Sequence, residues 1–303
     1  MPTVEGVCPI IATPFTEAGE IDYDSLRREV RILAEGGCHA ATLFGIASEF
    51  YKLSDAERDR MVEVVTDAAD EHGLTLVVSV THEATPVAVD WAERYADAGA
   101  DCLMVFPPTF RGPSQEGVLD HLRAIGEAVD VPVMVQHTQQ NVGVAPEQFA
   151  ALNADVPNVR YFKIETNTAG QYIGDLLEAA EGEVYPLVGA AGTQMVEAYD
   201  RGAVGVMPAA GVFEVYLAVH DAYHAGDRER ALDAHGDVLA LQNQVSQAGI
   251  QSEKWLLAER GIVETAHCRE PTPPKMDAEH VDLLRTQLER VEGYLDDYSS
   301  GTS

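Results

Sequence analysis

The chain has 303 residues, 46% of them hydrophobic, enough to bury one large core of the kind that a single α/β barrel builds from about 250 residues. Its 50 acidic against 20 basic residues give a net charge of -30, which repels polyanions and excludes a generic electrostatic attraction to nucleic acid or to an anionic membrane surface. The acid excess, with only four lysines (Lys52, Lys163, Lys254 and Lys275), is what a halophilic, cytoplasmic protein is expected to carry where salt screens its self-repulsion.

Short apolar runs alternate with helix-like segments, the pattern that a parallel sheet with crossover helices requires. In chain order the predicted strands are 7–13, 40–44, 74–81, 102–107, 131–137, 159–165, 184–190 and 204–209. Most are continuously apolar, as strands covered on both faces should be. Helix starts are marked by Ser54 with Glu57 in a capping-box pattern, by Thr85 before Pro86, and by Ala145 before Pro146. Beyond the eighth strand, segments 212–226, 227–249, around 253–260, and 276–298 are all helix-like, more than closing a barrel needs. The expected architecture is a (β/α)8 TIM barrel over 1–225, a C-terminal helical extension over 226–298 with a breaker stretch at 269–274, and a disordered tail at 299–303. A doubly wound open sheet is the competing fold, but the nucleotide fingerprint G-x-G-x-x-G is absent.

The four cysteines (Cys8, Cys38, Cys102, Cys268) have neither C-x-x-C nor metal-like spacing, so no disulfide framework and no zinc site is expected. His220 and His224 stand four apart on one predicted helix without a third ligand, which argues against a metal. No apolar run is long enough to span a membrane, and the first residues lack a basic segment followed by an apolar one, so a soluble, unexported protein is expected.

In a barrel of this type the active site lies at the C-terminal ends of the strands, so polar residues that end an apolar run carry the information. Lys163 ends VRYFK in a chain that nearly avoids lysine. Burial beside Phe162 favours a neutral, nucleophilic amine. The competing expectation is a lysine paired with Glu165 for structure alone.

Several segments carry a family resemblance: IIATPFTEAGEIDYDSLRREV near the start, FGIASEFYKLSDAER after the second strand, AGADCLMVFPPTFRGPSQEG around the fourth, VPVMVQHTQQNVGV at the fifth, VRYFKIE at the sixth and GAVGVMPA at the eighth. In this order and spacing the chain resembles the dihydrodipicolinate synthase and N-acetylneuraminate lyase family over nearly its whole length. The resemblance implies that Lys163 forms an imine with a 2-oxo acid, whose cationic nitrogen acts as an electron sink for a C3 carbanion. It places the substrate carboxylate at Gly45, Ile46, Ala47 and Ser48, whose backbone N–H groups suit an anion, and Met207 among the substrate-binding residues. It also implies chemistry without a cofactor or metal, and a homotetramer.

Departures from the family pattern are equally informative. Typical members show G-T-T-G-E where this chain has Gly45-Ile46-Ala47-Ser48-Glu49, so both hydroxyls are missing. Gln136 stands where members carry the tyrosine of Y-N-V-P-x-R, Asn141 stands at the arginine, and Phe110 replaces the tyrosine of T-P-Y-Y. An amide does not titrate near neutrality, so Gln136 can orient a water or hydroxyl but cannot act as acid or base. His82, ending the third strand, is therefore a candidate proton carrier; His137 is a weaker one because it points away from Gln136, and Glu49 and Glu165 are others.

The expected function is a class I aldolase- or dehydratase-type lyase acting on a 2-keto-3-deoxy sugar acid or related 2-oxo acid, and not a true dihydrodipicolinate synthase. The polar run 136–141 and Thr109 favour hydroxylated carbons. The alternative is a non-catalytic binding or regulatory protein for the same acids on the same barrel.

Overall fold

The structure is a computed structural model and describes residues 4–138 and 143–299. Eight strands, β1 (Gly6–Val7), β2 (Ala40–Leu43), β3 (Thr75–Ser79), β4 (Cys102–Val105), β5 (Val133–Thr138), β6 (Val159–Glu165), β7 (Tyr185–Val188) and β8 (Gly205–Val206), pair in parallel with their chain neighbours, and β1 pairs with β8. The remaining seam is sewn by Ile10, which bridges Thr42 on one side and Ala209 on the other, and by Ile11 N–H donating to the Thr42 carbonyl at 2.9 Å. The sheet is thus a closed (β/α)8 barrel.

Eight helices cover it: α1 (Tyr23–Glu35), α2 (Asp55–His72), α3 (Thr85–Asp97), α4 (Gln115–Ala128), α5 (Pro146–Asp155), α6 (Ala169–Ala179), α7 (Met195–Asp200) and α8 (Phe213–His224). Four more follow: α9 (Arg228–Ala248), α10 (Ile250–Glu259), α11 (Ala278–Arg290) and α12 (Glu292–Ser299). The expectation of a disordered tail concerns residues almost all outside the described ones.

Several strands are shorter than their apolar runs, for identifiable reasons. The run at 7–13 pairs as a ladder only at Gly6 and Val7 because Pro9 has no N–H to donate. Pro107 and Pro208 stop the fourth and eighth runs, and the seventh ends where Ala190 and Ala191 turn to φ of 48° and 53°. Ser54 and Glu57 form the anticipated capping box, Ser54 N–H to Glu57 Oε2 at 2.9 Å and Glu57 N–H to Ser54 Oγ at 3.3 Å. Thr85 does not cap α3; Ala84 holds that position, and the Thr85 hydroxyl instead meets His121 Nδ1 at 2.9 Å.

Side-chain parity divides the core into two layers. Cys8, Ile10, Ala40, Val77, Cys102, Met104, Met134, Tyr161, Leu187 and Met207 fill the barrel interior, while the alternate strand residues, such as Val78, Val80, Val135, Phe162 and Ile164, pack under the helices. Odd-numbered β6 residues and even-numbered β5 residues therefore face inward.

Glu29 on α1 is fully buried in this fold, with Oε1 accepting from Ala12 N–H at 2.9 Å and Oε2 without a partner among the described residues. Burial pushes its carboxyl from an ordinary 4.5 to about 8, against the Ala12 bond and the Lys254 charge that pull it down. A folded value above the unfolded one means that the fold accommodates the protonated form. Its contribution is present in full below the ordinary value and is lost as pH rises through about 8. Glu29→Gln keeps an acceptor for Ala12 and stays neutral, so it should raise Tm more at about pH 8.5 than at about pH 5. Equal shifts at both pH values would contradict the assignment.

Candidate active site

The site is built where β5 and β6 run side by side. Register places Gln136 opposite Lys163 and Thr138 opposite Glu165, and inward parity turns Gln136, Lys163 and Glu165 toward the barrel mouth. Lys163 is 3% exposed, and its Nζ lies 3.1 Å from Glu165 Oε1. Gln136 Nε2 donates to Glu165 Oε2 at 2.7 Å, and Ala190 N–H donates to Oε1 at 3.1 Å. Burial pushes the Glu165 carboxyl up, but the Lys163 ammonium and these donors outweigh it and hold the carboxyl below its ordinary range. Gly189 makes room for this arrangement, since a Cβ there would fall 2.3 Å from Glu165 Cγ.

Lys163, Gln136 and Glu165 line a cavity of about 370 Å³ together with Ile10, Ile46, Ala47, Met207 and Pro208. That volume is typical of a small-molecule site, roughly 300–1,000 Å³. A second cavity of about 360 Å³ shares Ile46, Glu165 and Ala190 with it and is lined by Thr138, Thr166, Asn167, Thr193 and Gln194. One wall is apolar and the other polar.

The connection after β2 opens with a 3-10 turn, Ile46–Ser48, and a second follows at Phe50–Lys52. Ser48 is buried, its N–H and its hydroxyl both directed to the Gly45 carbonyl at 2.9 and 2.7 Å. The N–H groups of Ile46 and Ala47, first in the turn, have no acceptor within it. Gly45 itself does not line the cavity but packs against Ile10, whose Cγ2 would lie 2.7 Å from any Cβ at that position.

The structure does not bring His82 into the cavity. As an even-numbered residue beyond β3 it follows Val78 and Val80 toward the helix layer, where its ring meets Trp91 edge-on at 5.2 Å and its Nδ1 accepts from Ala84 N–H at 2.9 Å. His137 likewise faces outward, stacked on Phe162 at 5.7 Å. Glu49 is fully buried and spent on two lysines, Lys52 at 2.6 Å and Lys254. Phe110 is 77% exposed, Thr109 is tied by its N–H to Glu83 Oε1 at 3.2 Å, and Asn141 lies outside the described residues. His220 contacts Tyr199 through Nδ1 at 2.9 Å, and among the described residues no cluster of three His, Cys, Asp or Glu side chains is arranged for a metal.

Pairing with a carboxylate does not by itself distinguish Lys163. Three of the four lysines do the same: Lys52 and Lys254 with Glu49, Lys163 with Glu165. What separates Lys163 is place, because neither Lys52 nor Lys254 lines the cavity.

One wall was not anticipated from sequence. Gln242, Val245, Ser246, Gly249, Ile250 and Glu253, from α9, α10 and the glycine that joins them, complete the cavity. The helices beyond the barrel are therefore part of the site.

A closed barrel with a buried lysine near the C-terminal end of its sixth strand, in a pocket at the strand ends, defines a class of proteins that act on small molecules at the barrel mouth. The chain belongs to the dihydrodipicolinate synthetase family, whose profile matches residues 3–290. It is 28% identical over 292 residues to the 4-hydroxy-tetrahydrodipicolinate synthase of Haloarcula marismortui, covering 95% of this chain and 94% of that one. It is 26% identical over 293 residues to the L-2-keto-3-deoxyarabonate dehydratase of Azospirillum brasilense, covering 93% of each. The crystal structure of dihydrodipicolinate synthase from Thermotoga maritima has the same fold, with a TM-score of 0.88, 24% identity, and coverage of 97% of this chain and all of that one. Among the described residues no helix is long and apolar enough to cross a membrane.

Proposed function

We propose that the protein is a lyase that condenses Lys163 with the ketone of a 2-oxo acid and breaks a bond at C3 or C4 of a 2-keto-3-deoxy sugar acid or a close relative. The observation that carries this is the buried Lys163 amine in a 370 Å³ cavity, 3.1 Å from an ionised carboxylate. Glu165 takes a proton from the Lys163 ammonium 3.1 Å away, the freed amine attacks C2, the same proton passes to the carbinol oxygen as water leaves, and the cationic imine draws electrons from the C3–H bond or from the C3–C4 bond. Glu165, with Lys163 and Gln136 already in hydrogen-bond reach, moves protons between nitrogen and carbon; Gln136 holds its orientation. The amides of Ile46 and Ala47 receive the substrate carboxylate, and Met207 packs against its apolar face.

A hydroxylated substrate is supported by the polar character of the neighbouring wall, lined by Thr138, Thr166, Asn167 and Thr193 and by Gln194, whose amide is tied to Ala169 N–H and the Thr166 carbonyl. The dehydratase relative from Azospirillum brasilense acts, by its name, on such an acid. A dihydrodipicolinate synthase activity is disfavoured because Gln136 replaces the relay tyrosine and no residue at 139–142 is basic. No cofactor is needed, since the imine is itself the electron sink.

Product analysis with a panel of 2-oxo acids tests the assignment. Cleavage or dehydration of at least one 2-keto-3-deoxy sugar acid is expected. Binding of every acid tried with turnover of none would favour a sensor on the same scaffold. The charge of -30 and the family resemblance extend the proposal to a cytoplasmic homotetramer that is most stable in salt, and sizing across a salt series reports on both.

A further inference from the structure

Glu253 lies on α10, outside the barrel, yet its side chain lines the same cavity as Lys163. It is the other acidic side chain on that lining besides Glu165, and the two are in opposite circumstances. Glu165 is satisfied by Lys163, Gln136 and Ala190. The Glu253 carboxyl has no hydrogen bond or ion pair among the described residues, although it sits against Gly211, where a Cβ would come within 3.1 Å of its Oε2. Its helix is fixed in place on the far side, since the next residue, Lys254, is turned away to Glu49 and donates to the His267 carbonyl at 2.9 Å. A carboxyl held without a partner on the wall of a ligand cavity has its hydrogen-bonding capacity left for the ligand.

The cavity's charge balance decides which ligand. Lys163 is the one cation on the described lining, and it is matched by Glu165. Nothing else there neutralises Glu253 or would pair with a second carboxylate on the substrate. Gln242 and Ser246 on the neighbouring stretch of α9 are neutral and polar, as a wall facing hydroxyl groups would be.

We infer that Glu253 is a specificity-determining residue of this site, accepting a hydrogen bond from a hydroxyl of the bound 2-oxo acid and excluding acids that carry a second carboxylate. This rests on the proposal that the cavity takes a 2-oxo acid, and it narrows the substrate class to neutral, hydroxylated chains.

The group also predicts a pH dependence. Burial pushes the Glu253 carboxyl up to about 7. The titratable groups around it are Lys163 and Glu165 on β6 and Tyr216 on α8, whose hydroxyl is committed to the Ala191 carbonyl at 2.9 Å. The turns at 46–48 and 210–212 and the lining stretch of α9 add none. Discrimination against dicarboxylates should therefore be weak below neutrality and grow as pH rises past about 7.

The test is calorimetric binding of three acids to the full-length wild type, Glu253→Gln and Glu253→Asp. The acids are pyruvate, a 2-keto-3-deoxypentonate, and 2-oxoglutarate as the dicarboxylate probe. Wild type should prefer the pentonate to 2-oxoglutarate, and Glu253→Gln should reduce that ratio by about tenfold or more. Pyruvate affinity should stay within about twofold, and Glu253→Asp should retain most of the preference. An unchanged ratio in Glu253→Gln, or a pyruvate change as large as that for 2-oxoglutarate, overturns the inference. Borohydride trapping of pyruvate on wild type is run alongside: its failure removes the imine proposal, whereas the affinity ratios still decide the role of Glu253.

Discussion

Lys163→Arg is expected to abolish the mass increase that borohydride produces with pyruvate, and to lower kcat/KM by at least about 10⁴-fold, roughly 5 kcal/mol of transition-state stabilisation. Arginine is the informative replacement because it keeps the positive charge beside Glu165 and the length to reach it, but a guanidinium is not deprotonated in a protein and cannot attack a ketone. Reduction of the imine converts the C=N bond to a secondary amine, so the modification should map to residue 163 by peptide mass. Lys52 and Lys254 serve as internal controls. Both are buried against Glu49, and neither should be labelled, since a substrate in the cavity does not reach them. Should Lys163→Arg retain most of the turnover, the amine would be only a cation that sets the local field. Glu165→Gln separates the two roles further. If Glu165 carries the proton as proposed, the variant loses that role and keeps the amine, so trapping should persist while kcat falls by about 10²–10³-fold.

Much of the barrel was legible because burial on both faces imprints itself on short runs. VRYFKIE at 159–165 coincides with β6, since its ends are marked by a polar turn on either side. The first and eighth runs were overestimated because apolar character persists through Pro9 and Pro208, where ladder bonds cannot form. Strand parity explains the site in the same way. The alternation that points His137 outward from Gln136 applies equally to β3, where Val78 and Val80 lie under the helices, and His82 continues their face. Counting from Val77 would have separated His82 from the barrel mouth without a structure.

Glu253, Gln242 and Ser246 had no comparable signal. They sit on helices whose local pattern records which stripe is apolar, but not over which part of the barrel the stripe lands. Glu49 was ambiguous for a related reason. A carboxylate after the second strand can face ligand or protein, and only the approach of Lys254, 205 positions later in sequence, decides that it faces protein.

That long-range pair carries the second large effect. Glu49→Ala should destabilise the protein by about 3–5 kcal/mol in denaturant titration, because it strands two buried ammonium groups rather than one. Lys52 retains the Arg269 and Pro271 carbonyls at 2.7 and 2.9 Å, so most of the loss should come from Lys254, which among the described residues keeps the His267 carbonyl at 2.9 Å and the face of Phe15 at 4.2 Å. Burial already pulls the Lys254 ammonium below its ordinary value, with Glu49 as the main opposing influence. Pairing Glu49→Ala with Lys254→Met should therefore recover a large part of the stability, since an apolar chain of similar length leaves no uncompensated charge. A double variant as unstable as Glu49→Ala alone would mean that the carboxylate acts by shaping the left-handed turn at φ 57° rather than by neutralising Lys254. The consequence for catalysis follows from connectivity. Glu49 joins the turn that carries the cavity-lining Ile46 and Ala47 to the helix that carries Glu253, so cutting the pair should loosen two walls of the cavity at once. Glu49→Ala should raise KM more than it lowers kcat, because Glu165 is held by Gln136 and Ala190, Lys163 is held by Glu165, and none of these contacts involves α10.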